Sequence, residues 1–232
     1  MGFNKNISEL INRFYHNRLI SQIFHTSVYC LKRELRDCDS VLDLGCGPDS
    51  PIKYCKVPLS IGVDVFEPYI EASKSKKTHT EYILSDISIL NFEPNSFDAV
   101  VLIEVLEHLT KEEGELILEK AEIWAKGKII ISSPNGYLPQ SHVDENPFQI
   151  HRSGWKVEEM KKRGYKAYGM AGLRLLRREN ISTKIDDENA IFSTIRFHPK
   201  TFWLIISELT QAITYYIPKL AFEIFYIKSL IR

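Results

Sequence analysis

Apolar residues recur at helical spacing through residues 7 to 36. They are Ile7, Leu10, Ile11 and Phe14, then Leu19, Ile20, Ile23 and Phe24, and later Val28, Leu31 and Leu35. Positions three and four apart share one helix face, so two helices are predicted ahead of the first strand. Beyond residue 39 the pattern changes. Short, nearly all-apolar runs at Ser40–Leu44, Leu59–Val63, Glu81–Leu84, Phe97–Ile103 and Gly127–Ser133 alternate with helical stretches at Pro68–Lys77 and Glu112–Lys126. Strands covered on both faces lose two-residue alternation, and strands alternating with helices predict a parallel sheet.

A helix at Lys156–Arg163 and a sixth strand at Gly164–Gly169 follow. From there to about Pro218 the alternation fails, with a polar stretch at Ser182–Asn189 and an aromatic-rich one at Phe192–Tyr216. The run Leu220–Leu230 fits an amphipathic helix or a last strand, and its β-branched and aromatic residues around Ile224–Ile227 favour the strand. The expected architecture is a single α/β domain over 1–232, with a doubly wound, mostly parallel seven-stranded sheet and helices on both faces. Within it, residues 1–38 are read as N-terminal helices, 39–169 as the core, 170–218 as a cap over the site, and 219–232 as the last element.

Length supports one well-buried core rather than two domains. Thirty basic residues balance 30 acidic ones, so no global field attracts nucleic acid or an anionic membrane. Residues 151–200 hold twelve Lys/Arg against six Asp/Glu, a modest local surplus. Cys30, Cys38, Cys46 and Cys55 lie 8, 8 and 9 residues apart, which is neither a zinc pattern nor a disulfide scaffold. Free thiols, no signal-peptide core and no long apolar run predict a cytoplasmic protein without a membrane span. Peripheral contact through Tyr215–Ile231 is left open, and the sequence does not fix an oligomeric state.

The strongest chemical signal is Val41-Leu42-Asp43-Leu44-Gly45-Cys46-Gly47. An apolar strand ends in an acid, and a glycine turn follows that lets backbone approach a ligand. Asp64, nineteen residues past Gly45, stands where a carboxylate accepts hydrogen bonds from ribose hydroxyls. A dinucleotide fingerprint needs a third glycine, and Ser50 occupies that position. An acid beside the first glycine suits a cationic amino-acid end better than a pyrophosphate.

Asp43-Leu44-Gly45-Cys46-Gly47 resembles the D/E-x-G-x-G motif of class I S-adenosylmethionine-dependent methyltransferases, which have a Rossmann-like fold. The resemblance runs from about residue 35 to 170. It implies that Gly62-Val63-Asp64 with Val65 holds the ribose and that Asp86 with Ile87 meets the adenine. Ser96–Val101 then begins the fourth strand, with Glu104 beside the cofactor, and Ile130–Asn135 forms the fifth strand and its turn. The cofactor-binding residues so implied are Asp43, Gly45, Cys46, Gly47, Asp64, Val65, Asp86, Ile87 and Glu104. Pro48-Asp49-Ser50-Pro51 departs from the family glycine and predicts a stiffened loop, similar to that of uncharacterised bacterial and archaeal members.

Glu104-Val105-Leu106-Glu107-His108 follows the fourth strand, where the sheet's carboxyl edge opens. A base within reach of the acceptor removes its proton, and His108 and then His151 are the candidates. Glu104, Glu107 and His108, joined by His142 or His151, also have the donor types of a divalent metal site. That segment resembles one in small-RNA 3′-end methyltransferases and in O-methyltransferases of ubiquinone biosynthesis. The reading kept is plainer: Glu104 contacts cofactor, Glu107 and His108 start a helix, and no metal ligand is assigned. Ser153 is placed to cap the helix near Lys156. His16, His25, His79 and His198 are read as surface or core.

The expected activity is methyl transfer from S-adenosylmethionine to oxygen or nitrogen of a small-molecule or glycan-type acceptor. The cap, with Arg174, Arg177, Arg178 and its aromatics, suits an acceptor with an anionic and a flat part. Metal-assisted RNA ribose methylation and non-catalytic cofactor binding are the alternatives.

Overall fold

Residues 24–140, 143–178 and 190–230 are described by the computed structural model. Their strands are β1 Ser40–Leu44, β2 Leu59–Asp64, β3 Glu81–Leu84, β4 Phe97–Ile103, β5 Ala125–Pro134, β6 Lys166–Leu173 and β7 Ala221–Ser229. They form one sheet in the order 3-2-1-4-5-7-6. β1 to β5 are parallel, and β7 runs antiparallel to both β5 and β6. The last run is therefore a strand. β5 begins two residues before its apolar run, and β6 extends four past Gly169.

Successive residues of the central strands enter different layers, as a two-residue period requires. Leu42, Val100, Ile129, Ile131 and Tyr226 join one cluster with Trp124 and Trp155. Val41, Val101, Ile130 and Phe225 join another with Leu31 and Leu35. The helices that cover the faces are α1 Ser27–Glu34, α2 Glu67–Ser75, α3 Lys111–Trp124 and α4 Val157–Lys162. Thr110 and Glu113 start α3 with reciprocal side-chain-to-backbone bonds, which satisfy two donors the first turn leaves open. Of the two predicted N-terminal helices, residues 1–23 lie outside the described residues and α1 is the remainder.

Two helices follow β6: α5 Ala190–Ser193 and α6 Lys200–Thr214. α6 went unread because its buried face is mostly polar. Ser207, Gln211 and Thr214 are buried along with Leu204, while Phe202, Ile205, Leu209 and Ile213 are exposed. The cause lies in the edge strand. β6 loses register with β7 between Met170 and Leu173, which frees backbone amides that need partners. Gln211 Oε1 accepts the Gly172 amide at 3.0 Å and Thr210 Oγ1 accepts the Leu173 amide at 2.9 Å.

The sheet reverses its winding between β1 and β4, so a crevice opens at their carboxyl ends. The four cysteines are free thiols. Among the described residues, no helix is long and apolar enough to cross a membrane.

Candidate active site

A cavity of about 790 Å³ fills that crevice, and all eleven site residues picked out from the sequence line it. Its floor is the turn after β1. Gly45 and Gly47 adopt left-handed φ of 67° and 57°. A Cβ on Gly45 would stand 2.6 Å from Val105, whereas one on Gly47 meets nothing within 4 Å. Gly45 is thus required by packing, and Gly47 leaves open room above the turn. The Cys46 amide donates to Val63 O at 2.8 Å, and burial pushes its thiol up, so Cys46 offers backbone rather than a thiolate.

Asp64 accepts the Gly47 amide at 2.9 Å and the Phe66 amide at 2.9 Å. Burial raises its pKa and those amides counter the rise, leaving a fixed, largely buried carboxylate at the rim. Asp86 accepts the Ser88 amide at 2.8 Å beyond β3. Asp43 is nearly inaccessible. Its Oδ2 accepts Ser50 Oγ at 2.5 Å and faces His79 Nε2 at 2.9 Å. Ser50 therefore takes a structural role where the family glycine is absent, bonding Asp43 and capping the turn at Pro51–Tyr54.

The opposite wall is acidic. Glu104 sits at φ 54°, conformationally costly for a side chain with a Cβ, and accepts the Ser132 hydroxyl. Glu107 is 2 % exposed, and its carboxyl group meets that of Glu104. Burial and then the Glu104 charge lift Glu107 well above the ordinary carboxylate range. Glu223 on β7 completes the wall, raised to about 8 by burial and by Glu104. Glu107 does not begin an α-helix; it lies in a 3₁₀ turn at Leu106–His108.

His108 and His151 pack edge to face, with ring centres 4.9 Å apart. His151 Nδ1 lies 2.6 Å from Leu138 O and His108 Nδ1 lies 3.4 Å from Ile150 O. Carbonyl oxygens only accept, so both Nδ1 atoms carry the proton and both Nε2 atoms keep a lone pair. Burial lowers both imidazoles, His108 to about 4. Ligand atoms of Glu107, His108 and His151 lie within 4.8 Å of one another. His142 lies outside the described residues.

Other predicted roles shift. Ser153 does not cap α4: its hydroxyl donates to Leu106 O and accepts the Trp155 indole N–H. Among the described residues of 170–218, Thr194 reaches the cavity wall. Arg177 is buried and donates to Glu208, Thr194 and Ser207, and Arg174 donates to Asn135 O at 2.5 Å. Arg178 Nε donates to Ser193 O. The arginines read as an anion-binding set thus hold the chain together. Glu223 and His79 were missed because their partners are remote in sequence.

Residues 42–131 match the family model for a methyltransferase domain. Over 140 residues the chain is 26% identical to (S)-coclaurine N-methyltransferase of Thalictrum flavum subsp. glaucum, covering 56% of this chain and 36% of that protein. Pavine N-methyltransferase of the same plant is 30% identical over 114 residues, covering 45% of this chain and 31% of that protein. The chain thus spans about a third of the length of these curated relatives. A crystal structure of a SAM-dependent methyltransferase from Archaeoglobus fulgidus superposes with a TM-score of 0.51 at 21% identity, covering 91% of this chain and 98% of that one. At that identity the likeness is one of fold. Residues 42–131 thus carry a methyltransferase-domain match, and the fold is the one seen in a SAM-dependent methyltransferase.

Proposed function

We propose that the chain transfers a methyl group from S-adenosylmethionine to a nitrogen of a small-molecule acceptor. The observation that carries this reading is the buried Glu107 carboxyl group, set against that of Glu104 in a cavity lining that also holds Glu223. Buried carboxylates crowded together are costly, and a cation relieves that cost. A protonated amine supplies the charge. It also finds a carboxylate whose pKa burial has moved towards its own, which eases proton transfer.

The residues at the other end fit the cofactor. Gly47 leaves space where a Cβ would stand, and Asp64, Asp86 and Ile87 line the same cavity, where Asp64 would hold the ribose and Asp86 with Ile87 the adenine. Bound there, S-adenosylmethionine supplies a methyl group on an already reactive sulfonium. Glu107 is placed to take the proton from the acceptor ammonium, which would free the nitrogen lone pair to receive the methyl group as the S–CH3 bond breaks and S-adenosylhomocysteine leaves. His108 and His151, neutral with Nε2 turned to the same space, hold the nucleophile in line. The N-methyltransferase relatives support nitrogen over oxygen.

The test is transfer from radiolabelled S-adenosylmethionine to primary and secondary arylalkylamines and to the matched alcohols. Methylated amines, lost in Glu107→Gln, are expected. Transfer to alcohols alone would overturn the nitrogen assignment, and failure to bind S-adenosylhomocysteine would overturn the cofactor.

A second reading rests on the convergence of Glu107, His108 and His151. A divalent cation held by one carboxylate oxygen and two Nε2 atoms, with each Nδ1 tied to a carbonyl, has the ligand orientation metal sites use. It would favour a hydroxyl acceptor. Loss of transfer with EDTA and recovery with Mn²⁺ or Mg²⁺ would support it over the amine reading.

A further inference from the structure

Asp43 stands in the motif that defines the cofactor loop, yet its Oδ2 is turned away from solvent into the sheet. The group it meets comes from far along the chain. His79 lies just before β3, on the opposite side of β2 from Asp43. In the sheet, Asp43 is paired with Gly62, and Gly62 with Tyr82. To reach Asp43 the imidazole must cross β2 over Gly62. A Cβ on Gly62 would stand 2.7 Å from His79 Nδ1, so the glycine clears that path.

The ring is fixed from its other side as well. The His79 amide donates to Tyr82 Oη at 2.9 Å, Tyr82 Oη donates to Ser73 O at 3.0 Å, and the Tyr82 ring meets the imidazole edge to face at 5.6 Å. Nδ1 is buried without a partner, so the one polar contact of the ring is Nε2 to Asp43. A buried imidazole that leaves one nitrogen unsatisfied is retained against a desolvation cost, and the Asp43 contact offsets it. From Asp43 the chain of contacts runs to Ser50 Oγ and on to the Ile52 amide at 3.3 Å. The loop Gly45–Ser50 is thereby tied by two side chains, Asp64 at Gly47 and Asp43 at Ser50, besides the Cys46 amide on Val63 O.

We propose that His79 is the positioning residue of the cofactor loop, acting across β2 through Asp43 and Ser50 to hold the Gly45–Ser50 backbone ready for the amino-acid end of the cofactor. This rests on the cofactor assignment above. His79 touches no cofactor atom; it removes the need to order the loop when the cofactor arrives.

Calorimetric titration with S-adenosylhomocysteine tests it, on wild type, His79→Ala, His79→Gln, Ser50→Ala and the His79→Ala/Ser50→Ala pair, with thermal unfolding alongside. His79→Ala is expected to bind about tenfold or more weakly, since a hydrogen bond to a buried charge is lost. His79→Gln, which returns an N–H at the reach of Nε2, is expected to recover affinity to within about threefold. The double variant should be no weaker than the worse single variant, because both act through Asp43. Near-wild-type binding by folded His79→Ala overturns the proposal, as does Gln failing where Ala fails, or additive losses. Should His79→Ala not fold, the Gln and Ser50 variants decide between the same outcomes. Absence of binding by wild type itself would sink the cofactor assignment, and the role of His79 with it.

Discussion

The Gly47 amide and the Asp64 carboxylate stand 2.9 Å apart, so the turn after β1 and the end of β2 form one hydrogen-bonded unit. Asp64 therefore serves the loop with Oδ2 and the Phe66 amide with Oδ1 while lining the cavity. Asp64→Asn keeps an acceptor for one amide and loses the charge. It is expected to weaken S-adenosylhomocysteine binding by about tenfold, and Asp64→Ala by about a hundredfold, from charged hydrogen bonds of roughly 1.5–3 kcal/mol each. Calorimetry reads both.

Glu107→Gln removes the proton acceptor while keeping the shape of the wall. Turnover of an amine acceptor should fall about a hundredfold or more, the usual reach of general-base catalysis, with cofactor affinity unchanged. Separate titration and steady-state assays distinguish the two effects. A parallel loss of cofactor affinity would instead place Glu107 in cofactor binding.

Stability should fall as pH rises from 7 to 9. Glu223 is raised to about 8 in the folded chain from an ordinary 4.5, so it contributes stability below 4.5 that is lost as pH climbs through 8. Glu107 shifts in the same direction. His108 and His151 are lowered, so above pH 7 they are neutral in both states and add no slope. Urea midpoints across this window should decline in wild type and decline less steeply in Glu223→Gln.

Gly114 is an interior position of α3, where alanine ordinarily adds about 1 kcal/mol of helix stability. Here a Cβ would stand 2.3 Å from Trp155 Cζ2. The indole is held by its N–H to Leu106 O and covered by Lys111, so it has no room to yield. Overpacking of about 1–3 kcal/mol outweighs the propensity gain, and Gly114→Ala should lower the denaturant midpoint.

Arg177 and Glu208 lie 2.6 Å apart beneath α6, with 5% and 13% of their side chains exposed. Arg177→Ala removes the guanidinium from a mostly buried carboxylate and should cost about 3–5 kcal/mol. Arg177→Ala with Glu208→Ala should recover part of that loss in a double-mutant cycle.

The parallel core was legible because Val41–Leu42, Val100–Leu102 and Ile129–Ile131 are apolar at consecutive positions, a pattern that two-sided burial explains. The cofactor-side candidates were legible because they follow strands at short range. α6 was not, since three of its four buried residues, Ser207, Gln211 and Thr214, are polar, while Phe202, Ile205, Leu209 and Ile213 are exposed. His79 was read as a surface or core histidine because Asp43 is 36 residues away; the available signal was Gly62, a glycine inside a strand with no turn to make. Arg174 and Arg177 were misread as ligand-binding because a positive surplus says nothing about the carbonyls and hydroxyls that already occupy it.

β7 lies between β5 and β6, yet it is made last of the three. During synthesis β6 emerges with no neighbour to pair with, and β5 presents an open edge, until residues 221–229 arrive and insert between them. The acidic wall waits on the same event, because Glu223 rides on that strand. A ribosome releasing this chain thus delivers the acceptor side of the crevice only after the cofactor side already has every strand it needs.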